Sequence, residues 1–216
     1  GGHTEITAAV NKTIVSATAI GKTTREQLVK TAGAQAGDFI YLTKQVATEG
    51  TAILAHDCEE SLKTVLTDDE IRIAKGMMDA VSVVREGQIG GKIGVTAMHD
   101  ATEGGVLGAI HELCEASKKG CILHKSQMRV HPITEKICRH YNIDPLKLIS
   151  SGTMVITVSP TVSSALEAAL NKSHIAFSKV GLITEVQDKV MIIDDRTSEW
   201  MHLSSPDADE LYKILG

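Results

Sequence analysis

"AMHDATEGGVLGAIHELCEAS", residues 97–117, is the stretch that most constrains the fold of this chain. The segment "KIGVTAM", 92–98, is typical of a β-strand, whereas apolar residues recur at helical spacing within 105–117. A polar loop and two glycines separate these two segments. The order of strand, polar loop, glycines and helix predicts an α/β element in which a helix begins beside the end of a strand.

The polar loop "HDATEGGV", 99–106, contains residue types that suit a phosphate and a metal ion. In open α/β sheets, ligands gather at the carboxyl ends of strands, where a helix N-terminus offers unpaired N–H groups to an anion. Asp100 stands at that position and is a candidate ligand of Mg²⁺, which bridges phosphate oxygens. Gly104 and Gly105 would let the backbone approach a nucleotide closely.

The same loop has a purely structural interpretation. Asp100 or Thr102 would cap the following helix, and Glu103 would interact with its positive end. Gly104 and Gly105 would then only shape the turn. The residues alone do not decide between a helix cap and a ligand site.

The composition predicts a globular chain with a packed core. Of 216 residues, 43% are hydrophobic and 23% are charged, and the formal net charge is −5. This balance argues against broad electrostatic capture of nucleic acid or of an anionic membrane, and no apolar run approaches the length of a membrane span. We therefore expect neither a nucleic acid nor a membrane as a partner.

The cysteines predict a reduced, cytoplasmic protein. They form no CxxC pair and no zinc-finger spacing. The cysteines are Cys58, Cys114, Cys121 and Cys138. His111 and Cys114 lie three residues apart on the predicted helix, and together with His99 they would be the ligands of a metal-binding regulatory protein. Buried structural cysteine is the alternative.

Hydrophobic patterning predicts at least five strands and five helices, which is an α/β or α+β fold. Strands are expected at 13–21, 39–44, 92–98, 121–125, 153–159, 176–186 and 189–194, the last two joined near Asp188. Helices are expected after Gly50, over 67–87 with a cap at Thr67 or at an Asp that follows it, and over 105–117, 131–142, 161–173 and 205–215.

Five segments, in this order, resemble one superfamily. They are "GGHTEI" (1–6), "AGDFIYLTKQVATEGTAIL" (36–54), "AMHDATEGGVLGAIHELCEAS" (97–117), "DPLKLISSGTMVITV" (144–158) and "VGLITE" (180–185). The superfamily contains aminoimidazole ribonucleotide (AIR) synthase, the hydrogenase maturation protein that dehydrates a carbamoyl group, selenophosphate synthetase and thiamine monophosphate kinase. The resemblance covers nearly the whole chain and is greatest to the hydrogenase maturation and synthase-related members.

The resemblance implies an ATP-dependent homodimeric enzyme that activates an amide-like or related small-molecule substrate by Mg-assisted phosphoryl transfer. Asp100 would hold the Mg²⁺ or the phosphate, and His99 would orient Asp100 or serve as an acid. The residues implied to approach the nucleotide are Gly2, His3, Thr4, Thr102, Gly104 and Gly105.

The resemblance also implies a division of the chain. Residues 1–30 resemble the last strands of an AIR synthase-like amino-terminal domain. Residues 31–216 resemble the carboxy-terminal domain, an α+β sandwich with a mixed sheet and flanking helices. The remaining amino-terminal domain, which supplies most ligands of Mg-ATP in the superfamily, would precede residue 1, so we expect the chain alone to be inactive.

Two features limit the functional interpretation. The hydrogenase maturation protein ends in a Cys-bearing tail, whereas this chain ends in "ADELYKILG", 208–216, which leaves the acceptor substrate open. A domain can also keep a fold and lose its chemistry. A noncatalytic dimerisation or ligand-binding module of the same fold is therefore the alternative function.

Overall fold

The computed structural model describes residues 15–185, 189–204 and 208–216, so the candidate residues Gly2, His3 and Thr4 lie outside the described part. The strands are β1 Phe39–Thr43, β2 Ala97–Asp100, β3 Gly120–His124, β4 Met154–Val158, β5 Phe177–Thr184, β6 Val190–Asp194 and β7 Glu199–His202. The α-helices are α1 Thr48–Asp57, α2 Glu59–Leu62, α3 Asp68–Gly76, α4 Val84–Ile93, α5 Gly105–Ser117, α6 Pro132–Tyr141, α7 Pro160–Lys172 and α8 Tyr212–Leu215.

Local signals in the sequence start three of these helices. Thr67 and Glu70 form a reciprocal capping box at the start of α3, which confirms the predicted cap. The helices α6 and α7 each begin at a proline, whose fixed φ suits the first helical position. The side chains of His131 and Ser159 cap these two helices by accepting hydrogen bonds from backbone N–H groups.

The strands form one seven-stranded sheet among the described residues, in the order β2-β4-β1-β5-β3-β6-β7. Every neighbouring pair is antiparallel except β3 and β6, which run parallel. Helices pack against this mixed sheet, so the predicted fold class is confirmed. Because of these directions, β1, β2, β3 and β6 all end at the same edge of the sheet.

Alternation along β1 divides the core between the two faces of the sheet. Ile40 and Leu42 pack with the apolar side of α5, whereas Tyr41 packs with residues of α7, including Leu166 and Leu170. A third apolar cluster joins α1, α3 and α6, and its centre includes Leu54 and Ile137. The helices α4 and α7 pack on each other over the strands β4 and β1.

The predicted strand at 13–21 is wrong over the part that the structure describes. Residues 15–21 carry no strand hydrogen bonding, and the side chains of Val15 and Ile20 are 83% and 96% exposed. β-propensity reflects packing against a neighbouring strand rather than an intrinsic backbone preference. This segment has no such neighbour among the described residues, so its β-rich composition does not produce a strand.

The predicted helix over 67–87 is divided into shorter elements. The helix α3 ends at Gly76, a short 3-10 helix follows over Met77–Ala80, and α4 begins at Val84. The strand predicted at 92–98 begins only at Ala97, because α4 extends to Ile93 and Gly94 ends it with a φ of +79°.

Near the end of the chain, the order of the strands in the sheet differs from the expectation. The successive strands β5 and β6 are not neighbours, because β3 lies between them and pairs with both. The pattern analysis missed β7, and α8 is shorter than the helix predicted at 205–215. Within the described ranges, no helix combines the length and the apolar character that a membrane crossing requires.

Candidate functional site

Three loops meet at the edge of the sheet where β1 and β2 end and β4 begins. The hydroxyl Oγ of Ser150 accepts a hydrogen bond of 2.8 Å from the backbone N–H of Ala47. The N–H of Ser150 donates to the carbonyl of Thr102 at 3.3 Å, and Thr153 Oγ1 donates to the carbonyl of Gln45 at 2.8 Å. These hydrogen bonds connect the loops after β1, after β2 and before β4 into one surface, which forms the floor of the candidate site.

Asp100 extends from this floor toward solvent. It is the last residue of β2, and its side chain is 59% exposed. A carboxylate that is open to solvent at the end of a strand suits Mg²⁺, which binds proteins through one or two carboxylates and keeps its other positions for water and phosphate. The residues present therefore fit the predicted role of Asp100.

His99 lies between two carboxylates. Its Nε2 is 2.6 Å from Glu112 Oε2, and its Nδ1 is 3.7 Å from Asp100 Oδ1. Glu112 belongs to α5, about two turns of helix beyond the glycine loop. The hydrogen bond to Glu112 fixes the imidazole beside Asp100, which fits a positioning role for His99. The sequence analysis did not identify Glu112.

Gly104 and Gly105 form the turn into α5 and have φ values of +77° and +65°. A Cβ at position 105 would lie 2.5 Å from the carbonyl oxygen of Leu146. The positive φ explains glycine at both positions, and the close approach of the 146–148 segment further explains it at position 105. The expected role of the glycines in shaping the turn is confirmed.

The predicted side-chain cap of α5 is wrong. Neither Asp100 nor Thr102 caps the helix, whose N-cap is Gly104 without a side-chain hydrogen bond of its own. Two of the N–H groups at this helix end instead find partners farther along the chain. The N–H of Gly104 donates to Asp209 Oδ2 at 2.7 Å, and the N–H of Leu107 donates to the carbonyl of Leu146 at 3.2 Å.

Asp209 contacts this site, although the sequence analysis did not identify it as a site residue. It is only 4% exposed, and its second oxygen Oδ1 accepts from the N–H of Leu211 at 2.8 Å. The sequence analysis placed residue 209 inside the helix predicted over 205–215 and gave it no role at this site. Because an Asp before a helix is a common local cap, the sequence carries no signal for its second bond to a loop 105 residues away.

A lysine missed by the sequence analysis braces the neighbouring loop. Lys44 Nζ donates to the carbonyls of Ala80 and Ser82 at 3.0 and 2.7 Å and lies 3.1 Å from Oε1 of the buried Glu86. Its ammonium is therefore shared among two carbonyls and one carboxylate. This arrangement holds the loop before α4 against the end of β1, and it does not present a free cation to a ligand.

The predicted metal site formed by His99, His111 and Cys114 does not assemble. Cys114 is buried beside Cys121, and the pKa of the Cys121 thiol is raised by its hydrogen bond with Cys114 and by burial. Nδ1 of His111 is buried and has no hydrogen-bond partner in the part of the chain that the structure describes. Across the described ranges, no group of three or more His, Cys, Asp or Glu side chains has the geometry to hold a metal ion.

Comparison with known proteins gives consistent results. The family model "AIR synthase related protein, C-terminal domain" matches residues 35–194. The carbamoyl dehydratase HypE of Cupriavidus necator is 26% identical over 156 residues, which are 72% of this chain and 42% of that protein. The chain thus spans less than half the length of this curated relative.

Two solved structures show the same fold. Escherichia coli HypE, a hydrogenase maturation protein, has a TM-score of 0.69 at 24% identity, and the match covers 87% of this chain and 55% of that one. A hydrogenase maturation protein HypE in complex with ATP has a TM-score of 0.63 at 16% identity, covering 85% and 55%. With the family match over most of its length, this chain belongs to the AIR synthase related proteins, as a carboxy-terminal domain of that family.

Proposed function

We propose that the chain is the carboxy-terminal domain of an ATP-dependent, synthase-like enzyme and that Asp100 contributes to its Mg-nucleotide site. One observation carries the proposal: the Asp100 carboxylate is exposed on a floor of three hydrogen-bonded loops, with His99 fixed beside it by Glu112. Family membership and a relative of the same fold described in complex with ATP support it.

The chain would contribute positioning groups to this reaction. When bound, Mg²⁺ neutralises the charge that develops on a transferring phosphoryl group. Asp100 would hold it, and His99 would keep the Asp100 carboxylate oriented. Thr102, two residues after Asp100, is half-buried and would contact the same ligand. The remaining implied residues Gly2, His3 and Thr4 would approach the nucleotide from the segment before residue 15.

The glycine loop would contribute less than its composition suggests. The N–H of Gly104 is bonded to Asp209, and the N–H of Gly105 donates to the carbonyl of Thr102 at 3.1 Å. A phosphate would therefore reach these donors only after displacing bonds within the chain. The proposal depends on the Asp100 side chain, and the glycines shape the loop that carries it.

The organisation of the enzyme is part of the proposal. An amino-terminal domain preceding residue 1 would supply most of the ligands of Mg-ATP, and two copies would form a homodimer. The substrate would be an amide-like small molecule, whose oxygen becomes a better leaving group when it is phosphorylated. The curated relative bears the name carbamoyl dehydratase, which is consistent with this class of substrate.

The test is isothermal titration of Mg²⁺ and a nonhydrolysable ATP analogue into the chain joined to its amino-terminal domain. We expect Asp100→Asn to weaken binding at least tenfold and to remove its dependence on Mg²⁺, because it removes a charged ligand. The exposed Asp57, at the far end of α1, provides the matched control Asp57→Asn, which should bind like wild type. The chain alone should hydrolyse no ATP above the blank.

A noncatalytic ligand-binding or dimerisation module is the second candidate, and the Asp209 contact favours it. In the structure, a carboxylate of the chain itself occupies the helix end that a phosphate would use. Binding that is unchanged in Asp100→Asn, with the fold intact, would support this candidate and contradict a role of Asp100 in a nucleotide site.

A further inference from the structure

On the face of the sheet opposite α5, one half is exposed to solvent. The strand registers place Leu182 opposite both Phe39 and Ile122, and Ile193 opposite Trp200. These apolar side chains line one cavity of about 450 Å³ together with His124 and Lys179. Leu182 and Trp200 are 38% and 56% exposed, whereas α4 and α7 cover the β4 and β1 part of the same face.

A basic cavity of about 560 Å³ continues from this apolar surface. His124 and Lys179 border both cavities, and Arg129 lines the second one. None of the described residues that line either cavity is an Asp or a Glu. Lys179 stacks over the ring of Phe39 at 4.3 Å, and neither Lys179 nor Arg129 has a carboxylate partner in the described part of the chain. Two uncompensated cations in a chain of net charge −5 favour an anion at this point.

His124 is held in a fixed orientation at the border between the two cavities. Its Nδ1 lies 2.7 Å from Asp195 Oδ1, and Asp195 Oδ2 accepts from the N–H and the hydroxyl of Ser126 at 3.1 and 2.6 Å. The hydrogen bonds from Ser126 and His124 lower the pKa of Asp195 to about 2, so Asp195 is ionised at neutral pH and keeps the proton of His124 on Nδ1. Nε2 has no partner among the described residues and, with the proton on Nδ1, can accept a hydrogen bond from a ligand.

We propose that this surface binds a small anion with a flat apolar body, the chemistry shared by nucleoside monophosphates and aromatic carboxylates. The flat ring would pack against Trp200 and Ile193, and the anionic group would contact Lys179 and Arg129, while Nε2 of His124 would accept a hydrogen bond from a ligand hydroxyl or N–H where the ligand carries one. The site is separate from Asp100, since the strands β4, β1 and β5 lie between β2 and β3. It does not depend on the function proposed above.

The single tryptophan of the chain gives a direct readout. Titration of AMP without Mg²⁺ should quench the fluorescence of Trp200 saturably, and adenosine, which has no charge, should bind at least tenfold more weakly. Phenyl phosphate and benzoate, titrated in the same way, distinguish a preference for phosphate from one for carboxylate. The titrations are repeated in Asp100→Asn, which should leave the quenching unchanged.

Substitutions separate this site from nonspecific binding. Lys179→Gln and Arg129→Gln should each weaken AMP about tenfold or more, whereas Lys172→Gln, an exposed lysine at the end of α7, should have no effect. Trp200→Phe removes the fluorescence signal, so calorimetry is used to measure AMP binding to this variant. Equal affinity of wild type and both variants overturns the proposal. The proposal is also overturned if the chain forms a concentration-dependent dimer in which Trp200 is shielded from quenching by iodide. The surface would then be an interface between copies of the chain.

Discussion

The Asp209 carboxylate accepts a 2.7 Å hydrogen bond from the backbone N–H of Gly104, although 105 residues separate the two in the chain. The contact is buried, and it places a negative charge at the N-terminus of α5, where the helix dipole stabilises it. The same carboxylate accepts from the N–H of Leu211. One side chain outside the range matched by the family model therefore completes a loop that lies inside it.

We predict that Asp209→Ala lowers the free energy of unfolding by about 1–3 kcal/mol, because it leaves the buried N–H of Gly104 and the half-buried N–H of Leu211 without this partner. Asp209→Asn keeps one oxygen acceptor and should lose less. Urea denaturation measures both differences. The exposed Asp57→Ala is the matched control and should change stability by no more than about 0.5 kcal/mol. Equal stabilities of Asp209→Ala and the control would show that the contact is not maintained in solution.

We predict that Gly105→Ala destabilises the protein by more than about 2 kcal/mol, because the residue has φ +65° and its Cβ would clash with the carbonyl of Leu146. Gly76→Ala is the matched control, since a Cβ at Gly76 would meet nothing within 4 Å and its φ of −66° is helical. Thermal unfolding should place Gly76→Ala at or above wild type. A tolerated alanine at position 105 would contradict the described loop.

We predict a pH-dependent contribution of Glu70 to stability. The pKa of Glu70 is lowered, mainly by its hydrogen bond with Lys136 and then by the N–H of Thr67. Since the folded pKa lies below the unfolded value of about 4.3, the contribution is present above that value and is lost as the pH falls through the folded pKa.

Urea midpoints from pH 7 to pH 3 test this prediction. Wild type should be more stable than Glu70→Gln at pH 7, and the difference should shrink below about pH 4 as Glu70 becomes protonated. The exposed Glu115→Gln, near the end of α5, controls for removal of a charge. A difference that stays constant over the whole range would mean that the ionised form of Glu70 is not what stabilises the fold.

We predict that one thiol of the native protein reacts rapidly with a disulfide reagent at pH 8. Cys58 is half-buried, whereas Cys114, Cys121 and Cys138 are buried. Burial, together with the charges of nearby acidic residues, raises the pKa of Cys138 to about 12, and the thiolate is the reactive form. Cys58→Ser should abolish the fast phase, and unfolding should release the other three thiols. Two thiols reacting equally fast would contradict the described packing.

The sequence by itself determined the elements whose signals are local. The capping box of Thr67 and Glu70, the proline at the start of α6 and the apolar spacing of α5 each involve residues within about four positions of one another. The position of Asp100 between a strand and a helix followed from the same reasoning, because such a junction is recognisable in the sequence. The five resembling segments also indicated the family.

Only the tertiary structure decided which distant groups meet. A strand needs a hydrogen-bonding neighbour, so residues 15–21 form none in the described structure despite their composition, and β3 separates β5 from β6. Asp209 reaches Gly104, and Glu112 reaches His99, through folding of the whole domain. Burial and hydrogen bonding between segments far apart in the chain fix these contacts, and no local pattern of residues records them.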